Sequence, residues 1–379
     1  MGNRNNAAYF KKMEKTAPEI GANFPHISRE GRFNDEPLGW VSGFWPGILW
    51  LAYQQTGKKE YAQYAEEIEE KLNALFDGFD LAEHDVGFIW QLSAGANYQL
   101  TGNEKSRCRC LKAASLLASR FHIKGSFIQA WNREPGWAIA DCTMNLALLY
   151  WASREIDNPR FAQIADAHAQ TALNYIVRPD GSTNHIVSFE PESGEYIEAL
   201  GGQGNAPDSA WARGSAWVLY GLALCYHFTE NLAYLETAKR VCNFFVANLP
   251  EDYVAHWDFR VERLEDTPRD TSAVACAACG MLEIAKYVPE CEKAFYENTA
   301  QKILQSLTKN YSNLTDDSCQ ELLRGGTGNF PAGVNINVGI IYGDYFYMEA
   351  ISRLTGNDTI FWYENKKQKK IFKRLGSRK

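Results

Sequence analysis

GWAIADCTMNLALLYWA, residues Gly136–Ala152, joins a polar loop to a long apolar helix. Asp141 stands at the junction, where Asp is a favoured N-cap because its carboxylate accepts free N–H groups of the first helical turn. Two features favour a catalytic residue instead. Trp131 and Trp137 flank the turn, and Asn145 lies one helical turn further on the same face. From this stretch alone the two interpretations remain equal alternatives.

The same pattern of a polar loop followed by an apolar helix occurs six times along the chain. Each apolar helix carries hydrophobic residues nearly all round, which is typical of a buried helix. The six segments start at Val41, His84, Ile139, Ala212, Arg269 and Gly339. Between them lie amphipathic segments with one apolar stripe: Ala8–Ile20, Tyr61–Phe76, Lys105–Phe121, Phe161–Ile176, Leu235–Leu249 and Cys291–Tyr311.

Six buried helices that alternate with six amphipathic ones predict an all-α fold, an (α/α)6 barrel with an inner ring inside an outer ring. We expect a single domain over residues 1–379, with a solvated basic tail from about residue 366. Small hairpins are predicted at His185–Phe189 and Tyr253–Val261, in long loops.

The barrel has a functional consequence, because all six inner helices run in one direction and their N-termini gather at one mouth. Helix N-termini carry free N–H groups and a partial positive charge, which favours an anionic ligand there. The mouth is predicted to contain Trp40, Gly43, His84, Asp85, Asp141, Arg213, Trp217, Arg269, Asp270 and Asp344.

Composition excludes several classes of function. A net charge of −7 gives no general attraction to nucleic acid or to an anionic membrane surface. The chain shows no apolar run of membrane-spanning length, and we expect no signal peptide from its polar first residues. Its nine Cys include one C-x-x-C pair without further zinc ligands, so we expect reduced thiols, no metal and no cofactor in a cytoplasmic protein. A monomer or a weak homo-oligomer is expected.

Asp85 repeats the situation of Asp141, since it follows His84 at the start of a buried helix. Two carboxylates brought together across the mouth would raise the pKa of one and keep it protonated at neutral pH. Paired carboxylates in a cleft lined by Trp indicate chemistry on glycosides. Asp270 and Asp344, also at helix starts, are interpreted as N-caps.

His185 and Arg213 each leave two interpretations open. His185 is either a satisfied loop residue or a site residue, given its nearness to GGQGN (residues 201–205). Arg213, between Trp211 and Trp217, is either a packed structural Arg or a bidentate clamp for a carboxylate.

HDVGF, IQAW, IADCTMNLALLYWA, GGQGN, WARGSAW and IYGDYFYMEA resemble the unsaturated glucuronyl hydrolases of glycoside hydrolase family 88, over about Phe24 to Glu364. The resemblance implies an (α/α)6 barrel and, as substrate and partner, an oligosaccharide that ends in a 4,5-unsaturated uronic acid. It also implies hydration of the C4=C5 vinyl ether rather than attack at C1.

By the same resemblance, Asp141 is the general acid that also activates the water, and Asp85 is its partner near the ring. A like-charged neighbour is expected to keep the acid protonated. The sugar-contacting positions are implied to be Trp40, Trp131, His185, Gln203, Arg213 and Trp217. We expect the Trp rings to stack on sugar and the other three to engage polar groups, among them the carboxylate.

One loop departs from the family pattern. Some members that accept sulfated glycosaminoglycan fragments carry Ser-x-x-Ser-x-Lys ahead of the last inner helix, whereas this chain has Asn329-Phe330-Pro331-Ala332-Gly333-Val334. We therefore expect a preference for unsulfated substrates. Three alternatives remain: an unsaturated rhamnogalacturonyl hydrolase, a glycan-binding toroid without activity, and a sugar 2-epimerase. The epimerase would need a His pair, and the seven His are not expected to cluster in that way.

Overall fold

The computed structural model describes residues 2–36, 38–78, 83–357 and 360–363. Its outer helices are α1 (Gly2–Ile20), α3 (Lys59–Leu72), α5 (Glu104–Ser119), α7 (Arg160–Thr171), α9 (Leu232–Ala247) and α11 (Glu290–Ser306). Its inner helices are α2 (Phe44–Thr56), α4 (Val86–Trp90, continued by Gln91–Gly95 and Ala96–Thr101), α6 (Cys142–Glu155), α8 (Ala212–Thr229), α10 (Thr271–Ile284) and α12 (Ile341–Leu354).

The inner helices close into a ring. Each packs against the next in chain order, α2 on α4, α4 on α6 and so on, and α12 packs back on α2. Burial separates the two rings, because α10 is buried at every position whereas α3 is buried only along one stripe. The predicted (α/α)6 barrel is therefore confirmed, and all twelve predicted helices are present in the described residues.

Aromatic side chains fill the centre of the inner ring. Phe88 of α4 lies 5.1 Å from Trp217 of α8, ring centre to ring centre, and Trp217 lies 5.3 Å from Phe346 of α12. Trp362, from the segment after α12, stacks parallel to Phe346 at 6.3 Å and is fully buried. Gln91 donates to the backbone oxygen of Trp362 at 2.6 Å, which fastens this segment to α4. These rings form a floor beneath the mouth.

Below the floor lies a buried ionic network that the sequence did not predict. Arg353 donates to Glu283 at 2.8 Å and lies 3.7 Å from Glu349. Glu349 also accepts from Tyr220 at 2.5 Å and from the indole of Trp362 at 2.9 Å. Because each of these charges has an opposite partner, burying them is tolerable. The network ties α8, α10, α12 and the segment after α12 together.

Short antiparallel strands lie in the loops around the mouth of the barrel. β1 (Pro25–Arg29) pairs with β2 (Arg32–Asp35) and β8 (Gly339–Ile340), β3 (Phe121–His122) pairs with β4 (Phe127–Ile128), and β6 (Ile186–Phe189) lies between β5 (Trp137–Ile139) and β7 (Tyr196–Leu200). The hairpin predicted at His185–Phe189 is thus confirmed. The one predicted at Tyr253–Val261 is wrong, since that loop makes only isolated bridges, Trp211 with Asp258 and His256 with Arg269.

Three further expectations concern the cysteines, membrane-spanning segments and the basic tail. The nine Cys are free thiols, most of them buried, whereas Cys108 and Cys291 are exposed. No helix in the described ranges is long and apolar enough to cross a membrane. The basic tail from about residue 366 lies outside the described residues.

The contact between α6 and α8 depends on Gly221. A Cβ atom there would lie 2.5 Å from the carbonyl carbon of Thr143. We predict that Gly221→Ala lowers the free energy of unfolding by about 1–3 kcal/mol, because the two helices must move apart. Urea denaturation measures the change. Gly95→Ala is the matched control, since its nearest contact would be an ordinary 3.5 Å. Equal stability of Gly221→Ala and the parent would contradict the packing.

Candidate active site

Pairing of β5 with β6 places His185 against Asp141. Ile139 lies opposite Ile186 in this ladder, and the backbone N–H of Ala140 donates to the oxygen of His185 at 2.9 Å. The two side chains follow directly, with Nε2 of His185 3.5 Å from Oδ2 of Asp141. Local strand pairing thus explains why a loop histidine reaches a residue 44 positions away in sequence (185 − 141 = 44).

Asp141 and Asp85 occupy N-cap positions but neither acts as a cap. Neither carboxylate accepts a hydrogen bond from the first turn of its own helix, all of whose residues are described. Asp270 shows the normal behaviour, since it accepts from the backbone N–H of Ser272 at 3.1 Å. The N-cap interpretation of Asp141 and Asp85 is therefore wrong, and that of Asp270 is confirmed.

Asn145 connects the starts of the two helices. Its Oδ1 accepts from the backbone N–H of Phe88 at 2.9 Å. Its Nδ2 lies 3.3 Å from Oδ1 of Asp85 and 3.3 Å from the backbone oxygen of Asp141. The sequence had already placed Asn145 on the face of Asp141, and the structure adds that it also holds Asp85.

The hydrogen bonds of His185 fix where its proton lies. Its Nδ1 accepts from the backbone N–H of Gln203 at 2.8 Å, so the ring proton is on Nε2 and points to Asp141. Gly202 makes this contact possible, because its φ is +57° and a Cβ atom there would lie 2.1 Å from Nδ1 of His185.

Burial raises the pKa of Asp141, but His185, His84 and Arg213 outweigh it, and the pKa lies below its ordinary value. Asp141 is therefore ionised at neutral pH in the free protein. The expectation that Asp85 keeps Asp141 protonated is wrong, because the nearby Nε2–H of His185, together with His84 and Arg213, favours the ionised carboxylate.

Several buried polar atoms around this pair have no hydrogen-bond partner among the described residues. They are His84 Nε2, Asp141 Oδ2, His185 Nε2, Trp211 Nε1 and Trp217 Nε1. Buried polar atoms are nearly always hydrogen-bonded in folded proteins. The two histidine nitrogens lie near carboxylate oxygens, 3.2 Å from Asp85 for His84 and 3.5 Å from Asp141 for His185. The polar groups around Asp141 are thus not fully used within the protein.

Two of the predicted tryptophans are half-buried. Trp131 stands edge-on to both histidines, with ring centres 6.0 Å from His84 and 6.5 Å from His185. Trp40 lies on the other side of the floor, 5.1 Å from Tyr342 and 6.0 Å from Phe88. Both rings remain able to contact a ligand.

Trp217 differs from the other two tryptophans, because it is 0% exposed beneath Phe88 and Phe346. The free protein thus presents no face of this ring for stacking. It belongs to the floor.

The guanidinium group of Arg213 is hydrogen-bonded to other groups of the protein. It donates to Asp270 at 2.6 Å, to the backbone oxygens of Thr327 and Gly328, and to Oε1 of Gln203 at 2.9 Å. It is 2% exposed. Of the two interpretations left open, the packed structural Arg is the one that the structure supports. Gln203 is the half-buried residue that Arg213 orients.

Other residues expected at the mouth act elsewhere. Asp344 is not an N-cap; it lies in the first turn of α12 and accepts from the N–H groups of Leu322 and Leu323. Burial raises its pKa well above the ordinary value. Arg269 donates to the backbone oxygen of Val254 at 2.5 Å.

Two histidines lie against the same tryptophan, since His84 and His185 flank the Trp131 ring. The expectation that the seven His do not form the pair that an epimerase needs stays a prediction. The sequence signal for His84 was its position beside Asp85. In the parts of the chain that the structure describes, no three His, Cys, Asp or Glu side chains are grouped as metal ligands.

The sequence matches the family model of Glycosyl Hydrolase Family 88 over residues 12–356. It is 37% identical to an unsaturated glucuronyl hydrolase of Bacillus sp. (strain GL1), over 91% of this chain and 94% of that protein. It is 36% identical to an unsaturated chondroitin disaccharide hydrolase of Streptococcus agalactiae serotype III (strain NEM316), over 92% of each chain.

The fold matches solved structures of the same kind. The crystal structure of the Bacillus sp. GL1 unsaturated glucuronyl hydrolase superposes with a TM-score of 0.92 at 35% identity and covers 97% of this chain and 100% of that one. An unsaturated glucuronyl hydrolase described as specific for heparin gives a TM-score of 0.85 at 28% identity, covering 95% and 100%.

Arg213 provides a test that separates a structural from a ligand-binding role. We predict that Arg213→Met lowers the free energy of unfolding by about 3–5 kcal/mol without any ligand, because it strands the buried charge of Asp270. Urea denaturation measures this. The control is Lys58→Met, which breaks the exposed pair with Glu14 and should leave stability nearly unchanged. A stable Arg213→Met protein would show that Arg213 is not structural.

Proposed function

This chain belongs to glycosyl hydrolase family 88, and we propose that it releases the terminal 4,5-unsaturated uronic acid from oligosaccharides left by polysaccharide lyases. The chain is a glycoside hydrolase. Relatives that it covers almost completely are named for action on unsaturated glucuronyl and chondroitin disaccharide substrates. A solved neighbour with a TM-score of 0.92 is described with dGlcA-Glc-Rha-Glc.

One observation carries the assignment of Asp141. Asp141 sits at a helix start, is 9% exposed and makes no cap, and its Oδ2, 3.5 Å from His185 Nε2, has no hydrogen-bond partner among the described residues. A structural Asp would use those oxygens, as Asp270 does. Asp141 is available for proton transfer, and Asn145 connects its backbone oxygen to the carboxylate of Asp85.

We assign the steps of hydration as follows. An anionic uronate bound beside Asp141 raises the pKa of this carboxyl, which takes up a proton. Asp141 gives that proton to C4, and positive charge develops at C5 and the ring oxygen. Water adds at C5 while its proton passes to Asp141. The hemiketal then opens, and the C1 hemiacetal breaks down to an aldehyde and the free alcohol of the next sugar.

Asp85 is proposed to face the developing positive charge, which its carboxylate stabilises electrostatically. The half-buried rings of Trp40 and Trp131 are proposed to contact the sugar. His185 Nε2–H and the amide of Gln203 supply polar contacts. Arg213 acts by orienting Gln203, and Trp217 by forming the floor.

The chain is proposed to act in the cytoplasm as a monomer or weak homo-oligomer, without a cofactor. An unsaturated rhamnogalacturonyl hydrolase uses the same chemistry on pectin fragments. Loss of absorbance from the C4=C5 bond, followed with each unsaturated disaccharide, separates the two activities. The family match argues against a 2-epimerase.

Asp141→Asn tests the role of the carboxyl. We predict that turnover falls by about 10²–10⁴-fold, because the amide cannot transfer the proton. Substrate binding, followed by tryptophan fluorescence, and urea stability should change little. Asp166→Asn is the control: it alters a carboxylate on α7 that accepts from Tyr150 at 2.6 Å, and it should keep normal turnover. Normal turnover by Asp141→Asn would refute the assignment.

The loop Asn329–Val334 is the basis on which we propose a preference for unsulfated substrates. Asn329 bridges Val334, and Phe330 packs on Trp257 at 4.7 Å, while the adjacent Gly328 accepts from Arg213. The loop is therefore attached to the site but carries no cation. A solved S. agalactiae neighbour is described with dGlcA-GalNAc6S, at a TM-score of 0.83 and 30% identity.

We predict that kcat/KM is higher, by about tenfold or more, for an unsulfated unsaturated disaccharide than for its sulfated counterpart, as one missing charge contact costs about 1.4 kcal/mol or more. Val334 is 47% exposed, so Val334→Lys should narrow this ratio whereas Val334→Met should not. Faster cleavage of the sulfated disaccharide by the parent protein would overturn the proposal.

A further inference from the structure

His84 is held in one orientation by the protein. It is 1% exposed, and its Nδ1 lies 2.8 Å from the backbone oxygen of Ala130. A carbonyl oxygen only accepts, so Nδ1 carries a proton. Arg120 donates to the same oxygen at 3.0 Å, and the ring of Trp131 stands edge-on at 6.0 Å. The ring therefore cannot turn without losing a buried hydrogen bond.

The other nitrogen of the ring faces Asp85. Nε2 of His84 lies 3.2 Å from Oδ1 of Asp85. With Nδ1 protonated, a neutral imidazole would hold the lone pair of Nε2 beside a carboxylate oxygen. Two acceptors at that distance repel each other, whereas a proton on Nε2 makes the imidazolium and the carboxylate an attractive ion pair. The pair is therefore favourable with a single shared proton.

His185 has the opposite arrangement. Its Nδ1 accepts from Gln203, so the ring proton is on Nε2 and faces Asp141. The neutral ring of His185 can therefore interact with Asp141 without taking up a second proton. The two carboxylates thus receive different environments: Asp141 faces a neutral donor, and Asp85 faces a group that must be protonated to bind it.

We propose that His84 is a positioning residue that keeps one proton on the His84–Asp85 pair and thereby holds the Asp85 carboxylate in place. The effect on turnover rests on the proposed function, but the shared proton does not. The charged groups that face His84 agree with it, since Asp85 and Asp141 outweigh burial and raise the pKa of His84. His168, the titratable neighbour beneath it, stays neutral, because burial and then His84 lower its pKa to about 3.

Two variants of His84 separate the two ring nitrogens. The amide nitrogen of Gln reaches the place of Nε2 and supplies a permanent N–H to Asp85, but loses the bond to Ala130. The amide of Asn matches Nδ1 and keeps the bond to Ala130, but leaves Asp85 without a partner. We expect kcat of His84→Asn to fall by about tenfold or more with KM within about threefold. His84→Gln should retain more kcat than His84→Asn.

The shared proton is measured without any turnover, by NMR of the full chain with ¹⁵N-labelled histidine, with His84 assigned from the spectrum of His84→Asn. The titration midpoint of His84 should lie above the ordinary 6.5 and fall below it in Asp85→Asn. His168→Asn is the control, since its amide oxygen can accept from Ile128 as Nδ1 does, and it should leave both the His84 midpoint and kcat unchanged.

A His84 midpoint below 6.5, or one that Asp85→Asn does not move, would overturn the shared proton. Turnover by His84→Asn equal to or above that of His84→Gln would overturn the positioning role, because a merely structural histidine needs its bond to Ala130 most. Absence of turnover by the parent on every unsaturated disaccharide would instead overturn the proposed function, and the NMR midpoint alone would then decide the shared proton.

Discussion

The site depends on one constraint: the carboxylate of Asp141 does not bind the first turn of the helix that follows it. An aspartate at an N-cap position normally satisfies the first turn of its helix. Here the β5–β6 ladder delivers His185 against the carboxylate, and Asn145 occupies the space between the starts of α4 and α6. The carboxylate is thus turned into the mouth, where one oxygen remains without a partner among the described residues.

The remainder of the barrel makes this geometry rigid. Rings from α4, α8 and α12 meet at its centre, and Trp362 closes them from below. The network of Glu283, Glu349 and Arg353 holds the helices that carry those rings. The polar atoms left unpaired at the mouth thus sit above a base whose buried charges are paired with one another.

Helix periodicity and spacing were sufficient to predict the barrel, because burial all round or along one stripe follows directly from residue pattern. Asp85 and Asp141 were found for the same reason, as polar residues at the starts of buried helices. Protonation could not be predicted, since it depends on His84, His185 and Arg213, which only folding brings together. The two interpretations of Arg213 could not be separated from the sequence, because its buried partner Asp270 lies 57 residues away. The role of Trp362 had no local signal at all.

The claim that Asp141 delivers a proton to C4 from one side of the sugar is tested most directly by running the reaction in D₂O. NMR of the product at early times reports the stereochemistry at C4. We expect the product to carry one deuteron at C4, on a single face, because an acid held by the enzyme approaches the sugar from one side. Equal amounts of both C4 diastereomers would contradict it, since attack at C1 followed by tautomerisation in solution gives that mixture.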